Sequence, residues 1–128
     1  LDSLGITKDV IFVDYASDMD LAHYYSSAAL LAYPSLYEGF GLPPLEAMAC
    51  GCPVVTSDTS SLPEVTGGAA ILVNPYDTDS LAQAMRQVLT DSELRDNMIR
   101  KGLEQAKKFS WEETARQTLE VYNRVAGG

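Results

Sequence analysis

Four short apolar runs limit what this chain can fold into: residues 10–13, 29–33, 53–56 and 69–73, none of them in strict alternation with polar residues. Such runs fit strands buried on both faces of a parallel sheet. What separates them is helical or turn-like. Residues 19–28 read as a helix with Asp18 as its candidate N-cap, and Leu21, Tyr24 or Tyr25, and Ala28 fall on one side. Residues 42–50 form a second helical stretch closed by Gly51. A polar turn, Thr59-Ser60-Ser61, leads into one helical turn at 62–66 and then Gly67-Gly68. The order strand, helix, strand, helix, strand, turn, strand predicts an α/β fold whose parallel sheet is covered on both faces.

Beyond the fourth run the pattern becomes purely helical. After Asp77, residues Leu81, Ala84, Met85, Val88 and Leu89 recur at amphipathic spacing. A further helix is expected over about 92–108. Ser110 and Glu113 have capping-box spacing before a last helix that bears Trp111, Ala115, Leu119, Tyr122 and Ala126 on one stripe. All these stripes are read as core packing. A chain of 128 residues supports one compact domain. A Rossmann-like sheet normally has five or six strands and only four are visible, so upstream strand-helix units are expected. Residues 1–128 are therefore read as a partial Rossmann-like domain, with C-terminal helices at about 92–126.

Charge narrows the partners. Residues 1–85 carry one base, Lys8, against eleven acids, whereas eight bases face seven acids from Arg86 onward, for a net charge of -9. This argues against sequence-independent nucleic-acid binding, which needs clustered Lys and Arg. A phosphorylated ligand on the first part would have to meet backbone N–H groups or cations supplied from elsewhere. No apolar run approaches the roughly 20 residues of a membrane span, and residues 1–5 lack the pattern of a signal peptide, so a cytoplasmic setting is expected. Cys50 and Cys52 flank Gly51 too tightly for a zinc pair and are read as reduced core thiols. His23, the only histidine, is read as a surface or half-buried helical residue.

The segment with the clearest chemistry joins the end of the second apolar run to the helix at 42–50. Gly39 and Gly41 permit close approach and unusual backbone angles. Pro43 and Pro44 suit a first helical turn, where N–H groups have no intrahelical acceptor. The N–H groups of Gly39, Phe40, Gly41 and Leu42 thus stand at the positive end of a helix, a place that accepts phosphate without lysine. Glu38 precedes this turn. Glu46 lies about 6 Å along the helix, an offset suited to a ribose on the far side of a diphosphate. A plainer reading makes the two acids a loop cap and a solvated helix face. The dinucleotide fingerprint of dehydrogenases fails, because Pro44 stands at its third glycine position.

The run Glu38-Gly39-Phe40-Gly41-Leu42-Pro43-Pro44-Leu45-Glu46-Ala47-Met48-Ala49-Cys50-Gly51-Cys52-Pro53-Val54-Val55 resembles the two-glutamate motif of the group-one (family four) retaining glycosyltransferases of GT-B architecture. The likeness continues through Ser61-Leu62-Pro63-Glu64-Val65 and Asn74-Pro75 and covers nearly the whole chain. It implies the C-terminal, donor-binding domain of an enzyme that transfers a sugar from a nucleotide-diphosphate donor with retention and without a metal. By the same resemblance, Glu38 would contact the transferred sugar and stabilise charge at its anomeric carbon. The amides of Gly39, Phe40 and Gly41 would hold the distal phosphate and sugar, with Leu42 nearby, and Glu46 would bind the ribose hydroxyls. Tyr15-Ala16 would meet the base, although Asp14 stands where a glycine is common. The family's Arg and Lys on the diphosphate, and a histidine of the acceptor domain, would lie outside these residues, as would any peripheral membrane contact. The chain alone is then expected to bind nucleotide weakly and transfer nothing. The competing expectation is a non-catalytic nucleotide-sugar-binding or interaction module.

Overall fold

The computed structural model describes residues 1–127. Two single 3-10 turns, Asp2–Leu4 and Thr7–Asp9, precede helix α1 (Asp18–Ser27), strand β1 (Leu31–Tyr33), helix α2 (Leu42–Ala49) and strand β2 (Val54–Ser57). Then follow the short helix α3 (Leu62–Thr66), strand β3 (Ile71–Val73) and three helices, α4 (Thr78–Thr90), α5 (Ser92–Ala106) and α6 (Trp111–Ala126). The three strands form one parallel sheet in the order β1-β2-β3, with Ala32 opposite Val55 and Thr56 opposite Leu72.

Because side chains alternate across a strand, the central strand feeds two cores. Val54 joins Ala47, Met48, Cys52 and Ala69, against which Tyr25, Leu45 and Ala106 pack. Val55 joins Val73, Ala84, Val88 and Met98, flanked by Leu81 and Leu94. Helices α1 and α2 thus cover one face and α4 the other, while α5 reaches both. All four residues of β2 are buried, as its apolar sequence predicts. On α1 it is Tyr25 that meets the core, whereas Tyr24 is exposed.

Helix α2 is packed from below by α5. Gly102 makes this possible: a Cβ there would sit 3.2 Å from Met48 Cγ. Helix α3 is tied to α5 as well, because Gln105 Nε2 donates to the Val65 carbonyl at 2.9 Å inside the core. Gly67, in the left-handed region with φ of 54°, leaves the space that Gln105 fills. The C-terminal end of α2 closes as expected, with Cys50 donating to the carbonyls of Glu46 and Ala47 before Gly51 turns the chain at φ 74°.

Three expectations are corrected. Residues 10–13 are extended in part but pair with no strand among the described residues, and Ile11 and Phe12 are exposed, so the described sheet has three strands rather than four. An apolar run becomes a strand only where a ladder partner adjoins it, and none of the described strands does. The last helix forms where expected, but its stripe is not core: Trp111, Leu119 and Tyr122 are exposed and no residue of α6 is buried. Periodicity identifies a face that can be buried, not a neighbour that buries it. At the start of α1, Ser17 rather than Asp18 is the cap, in a reciprocal capping box with Asp20. Of the two cysteines Cys52 is buried and Cys50 partly so, and both are free thiols.

Met48→Ala should lower the unfolding free energy by about 2–5 kcal/mol, since it empties the α2–α5 contact against the fully covered Gly102 face. Gln105→Leu should cost about 1–3 kcal/mol by leaving the Val65 carbonyl without its partner. Urea unfolding measures both, and a Met48→Ala loss below that of a typical surface substitution would contradict the packing described.

Candidate functional site

The carboxyl ends of the strands carry the loop between β1 and α2, and the fold holds this loop from three sides. Gly41 is the N-cap of α2 with φ of 102° and ψ of 52°, a left-handed conformation. It is buried over Leu62, and a Cβ at Gly41 would lie 2.8 Å from Leu62 Cδ2. Its backbone angle therefore favours glycine, and a side chain there would also have to displace Leu62. Nothing lies within 4 Å of a Cβ added at Gly39, so that residue borders open space. Phe40 is anchored sideways by an edge-to-face contact with Phe109, ring centroids 5.6 Å apart.

The second restraint acts on Glu38. Tyr33 Oη, at the end of β1, donates to Glu38 Oε1 at 2.6 Å, and Ser35 Oγ donates to the same oxygen at 2.8 Å. These two hydrogen bonds, the tyrosine's first, hold the Glu38 carboxyl below its ordinary value of 4.5. The same contact, with burial added, pushes the Tyr33 hydroxyl up to about 12. Glu38 is therefore an ionised carboxylate at neutral pH with one oxygen saturated and Oε2 left for another partner.

The third restraint comes from the turn after β2. The Glu38 N–H donates to Ser60 Oγ at 3.1 Å, and the single Ser61 hydroxyl proton is shared between the Phe40 carbonyl at 2.7 Å, its main acceptor, and the Glu38 carbonyl at 3.2 Å. Thr59 Oγ1 adds a bond to the Leu36 carbonyl at 3.3 Å. By contrast, the N–H groups of Gly39, Phe40, Gly41 and Leu42 have no acceptor among the described residues. Pro43 and Pro44 follow with no N–H to offer, in the first turn of an eight-residue helix. These donors meet the positive end of the helix dipole.

Glu46 stands on the exposed side of α2 and lines an apolar groove of about 550 Å³ with Phe40, Leu42, Leu45, Phe109 and Trp111. Glu38 is not among the groove's lining residues. The loop thus brings Gly39, Phe40, Gly41 and Leu42 together with both acids, Glu38 before the turn and Glu46 one helical turn beyond it. Tyr15 and Ala16 precede α1. Ala16 borders a shallow depression with Ile11, Val13 and Leu21, and the Tyr15 ring is exposed. Tyr33, Ser60 and Ser61 were not singled out from the sequence. Their contacts join residues distant in the chain or depend on side-chain direction, and only the polar composition of 59–61 hinted at them.

Residues 1–105 match the family model described as glycosyl transferases group 1. The O-antigen chain mannosyltransferase B of Escherichia coli is 47% identical over 111 residues, covering 87% of this chain and 29% of that protein. Sucrose-phosphate synthase from Thermosynechococcus elongatus superposes with a TM-score of 0.88 at 33% identity, over 98% of this chain and 32% of that one. The C-terminal domain of a glycosyl transferase group 1 family protein from Francisella tularensis gives a TM-score of 0.69 at 26% identity, over 84% of this chain and 56% of that domain. The chain spans less than a third of the mannosyltransferase and of the synthase.

Because the folded Glu38 pKa is depressed, the contribution of its hydrogen bonds to stability is present above pH 4.5 and fades as pH falls through the folded value. Carboxyl NMR titration should find Glu38 titrating below 4.5, and Tyr33→Phe should move it upward. The Tyr33 phenolate should form only near pH 12. A Glu38 titration unchanged in Tyr33→Phe would show that the 2.6 Å contact does not hold the carboxylate.

Proposed function

The chain belongs to the group 1 glycosyl transferases, and from that premise we propose that it is the donor-binding portion of a retaining enzyme that moves a hexosyl group from a nucleotide-diphosphate sugar to an acceptor. One observation carries this reading. A single loop presents an ionised, oriented carboxylate immediately before four N–H groups without acceptors at a helix start. A donor sugar has two needs at its reacting end: its anomeric carbon gains positive charge as the bond to phosphate breaks, and the departing diphosphate gains negative charge. Glu38 suits the first need and the amides of Gly39, Phe40 and Gly41 the second.

Glu46, on the exposed face of α2, is the proposed partner of the ribose hydroxyls, with Leu42 beside it, and Tyr15-Ala16 the proposed edge of the base site. A lowered pKa fits Glu38 for electrostatic stabilisation and hydroxyl recognition better than for proton donation, because a group already ionised at neutral pH has no proton to give. The reading requires no metal ion. Lys8 is the only base before Arg86, so the remaining phosphate charge falls to cations outside this chain, together with the acceptor site. A cytoplasmic setting is proposed as well; no helix among the described residues is long and apolar enough to cross a membrane.

In the full-length protein, Glu38→Gln should lower kcat by about 10²–10³-fold while the donor KM changes little, the magnitude of a lost electrostatic group in a transition state. Glu46→Gln should instead raise the donor KM by roughly 10-fold or more with a smaller change in kcat. Steady-state kinetics with the donor varied measures both. Equal loss of both parameters in both variants would contradict the division of roles.

A further inference from the structure

Two residues in the turn after β2 break local rules. Ser60 is the only non-glycine residue with positive φ among the described residues, at 52°. Such a conformation costs energy for a residue with a Cβ and persists where surroundings enforce it. Ser61 occupies the N-cap position of α3, where serine normally accepts a hydrogen bond from the helix's own N–H groups, yet its side chain makes no cap bond. Both anomalies have the same explanation. The two hydroxyls are engaged by the facing loop, Ser60 Oγ as acceptor for the Glu38 N–H and Ser61 Oγ as a three-centre donor, chiefly to the Phe40 carbonyl and more weakly to that of Glu38.

The geometry of the peptide bond turns this into a statement about the site. In a trans peptide the carbonyl and the following N–H point in opposite directions, and the chain contains no cis bond among the described residues. A Glu38 carbonyl directed at Ser61 therefore sends the Gly39 N–H away from Ser61, and a Phe40 carbonyl directed at Ser61 does the same for the Gly41 N–H. One hydroxyl thus sets two donors, two residues apart, toward the same side. Gly39 and Gly41 are also the residues best able to let those peptides rotate the other way, which would put carbonyl oxygens where an anion must sit.

We propose that Ser61 is a positioning residue, holding the Gly39 and Gly41 N–H groups toward the donor's distal phosphate, and that the strained Ser60 completes the clasp by drawing the Glu38 N–H away from it. This deepens the reading above and rests on it. A chain without the Ser61 hydroxyl would keep its fold but lose the fixed direction of its anion donors.

The test compares nucleoside diphosphates with the matching monophosphates by calorimetry on the full-length protein, using UDP and UMP, GDP and GMP, and ADP and AMP. For the wild type, one pair should show clearly tighter diphosphate binding. Ser61→Ala should weaken that diphosphate about 10-fold and leave its monophosphate within 2-fold, the scale of losing well-aligned donors to a charged group. Ser61→Thr, which retains the hydroxyl, should restore most of the difference. If Ser61→Ala melts below the assay temperature, Ser61→Cys, of similar shape and weaker donor strength, should show the same selective loss. Unchanged diphosphate affinity, or equal weakening of diphosphate and monophosphate, would overturn the clasp while leaving the phosphate reading in place. A wild type that gains nothing from the distal phosphate in any pair would overturn both.

Discussion

A helix start leaves its first N–H groups without partners, and the carboxyl end of this sheet is organised around where those of α2 point. Gly41 caps the helix at a positive φ that disfavours a side chain, Pro43 and Pro44 stand in its first turn, and a Cβ at Gly41 would crowd Leu62 beneath it. Helix α3, which supplies Leu62, is itself fixed by Gln105 of α5 through the buried Val65 carbonyl. A contact in the core and the orientation of a surface loop are therefore parts of one structure. Polar residues of the loop and of the turn after β2 satisfy one another wherever they can, and the N–H groups of residues 39–42 are the remainder.

The same loop separates the duties of its two acids. Glu38 is tied to β1 by two hydroxyls on one oxygen, which fixes its charge state as well as its direction. Glu46 has no such tether among the described residues and stands at an apolar groove between α2 and the start of α6. A rigid charged group suits interaction with a reacting centre, whereas an exposed carboxylate suits hydroxyl recognition. The unpartnered stripe of α6 and the unpaired run at 10–13 show how much apolar surface lies open among the described residues.

What was legible in the sequence was local. The Gly-Pro punctuation between 39 and 51 located α2 and both of its ends nearly to the residue, and the apolar run at 53–56 read correctly as a strand covered on both faces. The run at 10–13 looked the same but has no ladder beside it, because strand formation belongs to the pair and not to the segment. The stripe of α6 was legible as a stripe and misread as core for a similar reason. Within the site, the acids and glycines stood out through spacing. Tyr33 did not, being one more apolar-run residue until its hydroxyl is seen on Glu38. Ser60 and Ser61 act across 21 to 23 residues of chain, a distance no local pattern spans.

The most direct measurement of the account is an amide-resolved NMR titration of the full-length protein with the nucleoside diphosphate it binds best. Hydrogen bonding to phosphate deshields an amide proton, so the resonances of Gly39, Phe40 and Gly41 should move downfield together, at a common dissociation constant, and should not do so with the monophosphate. Diphosphate binding that saturates while these three amides stay in place would contradict the claim that the start of α2 receives the phosphate.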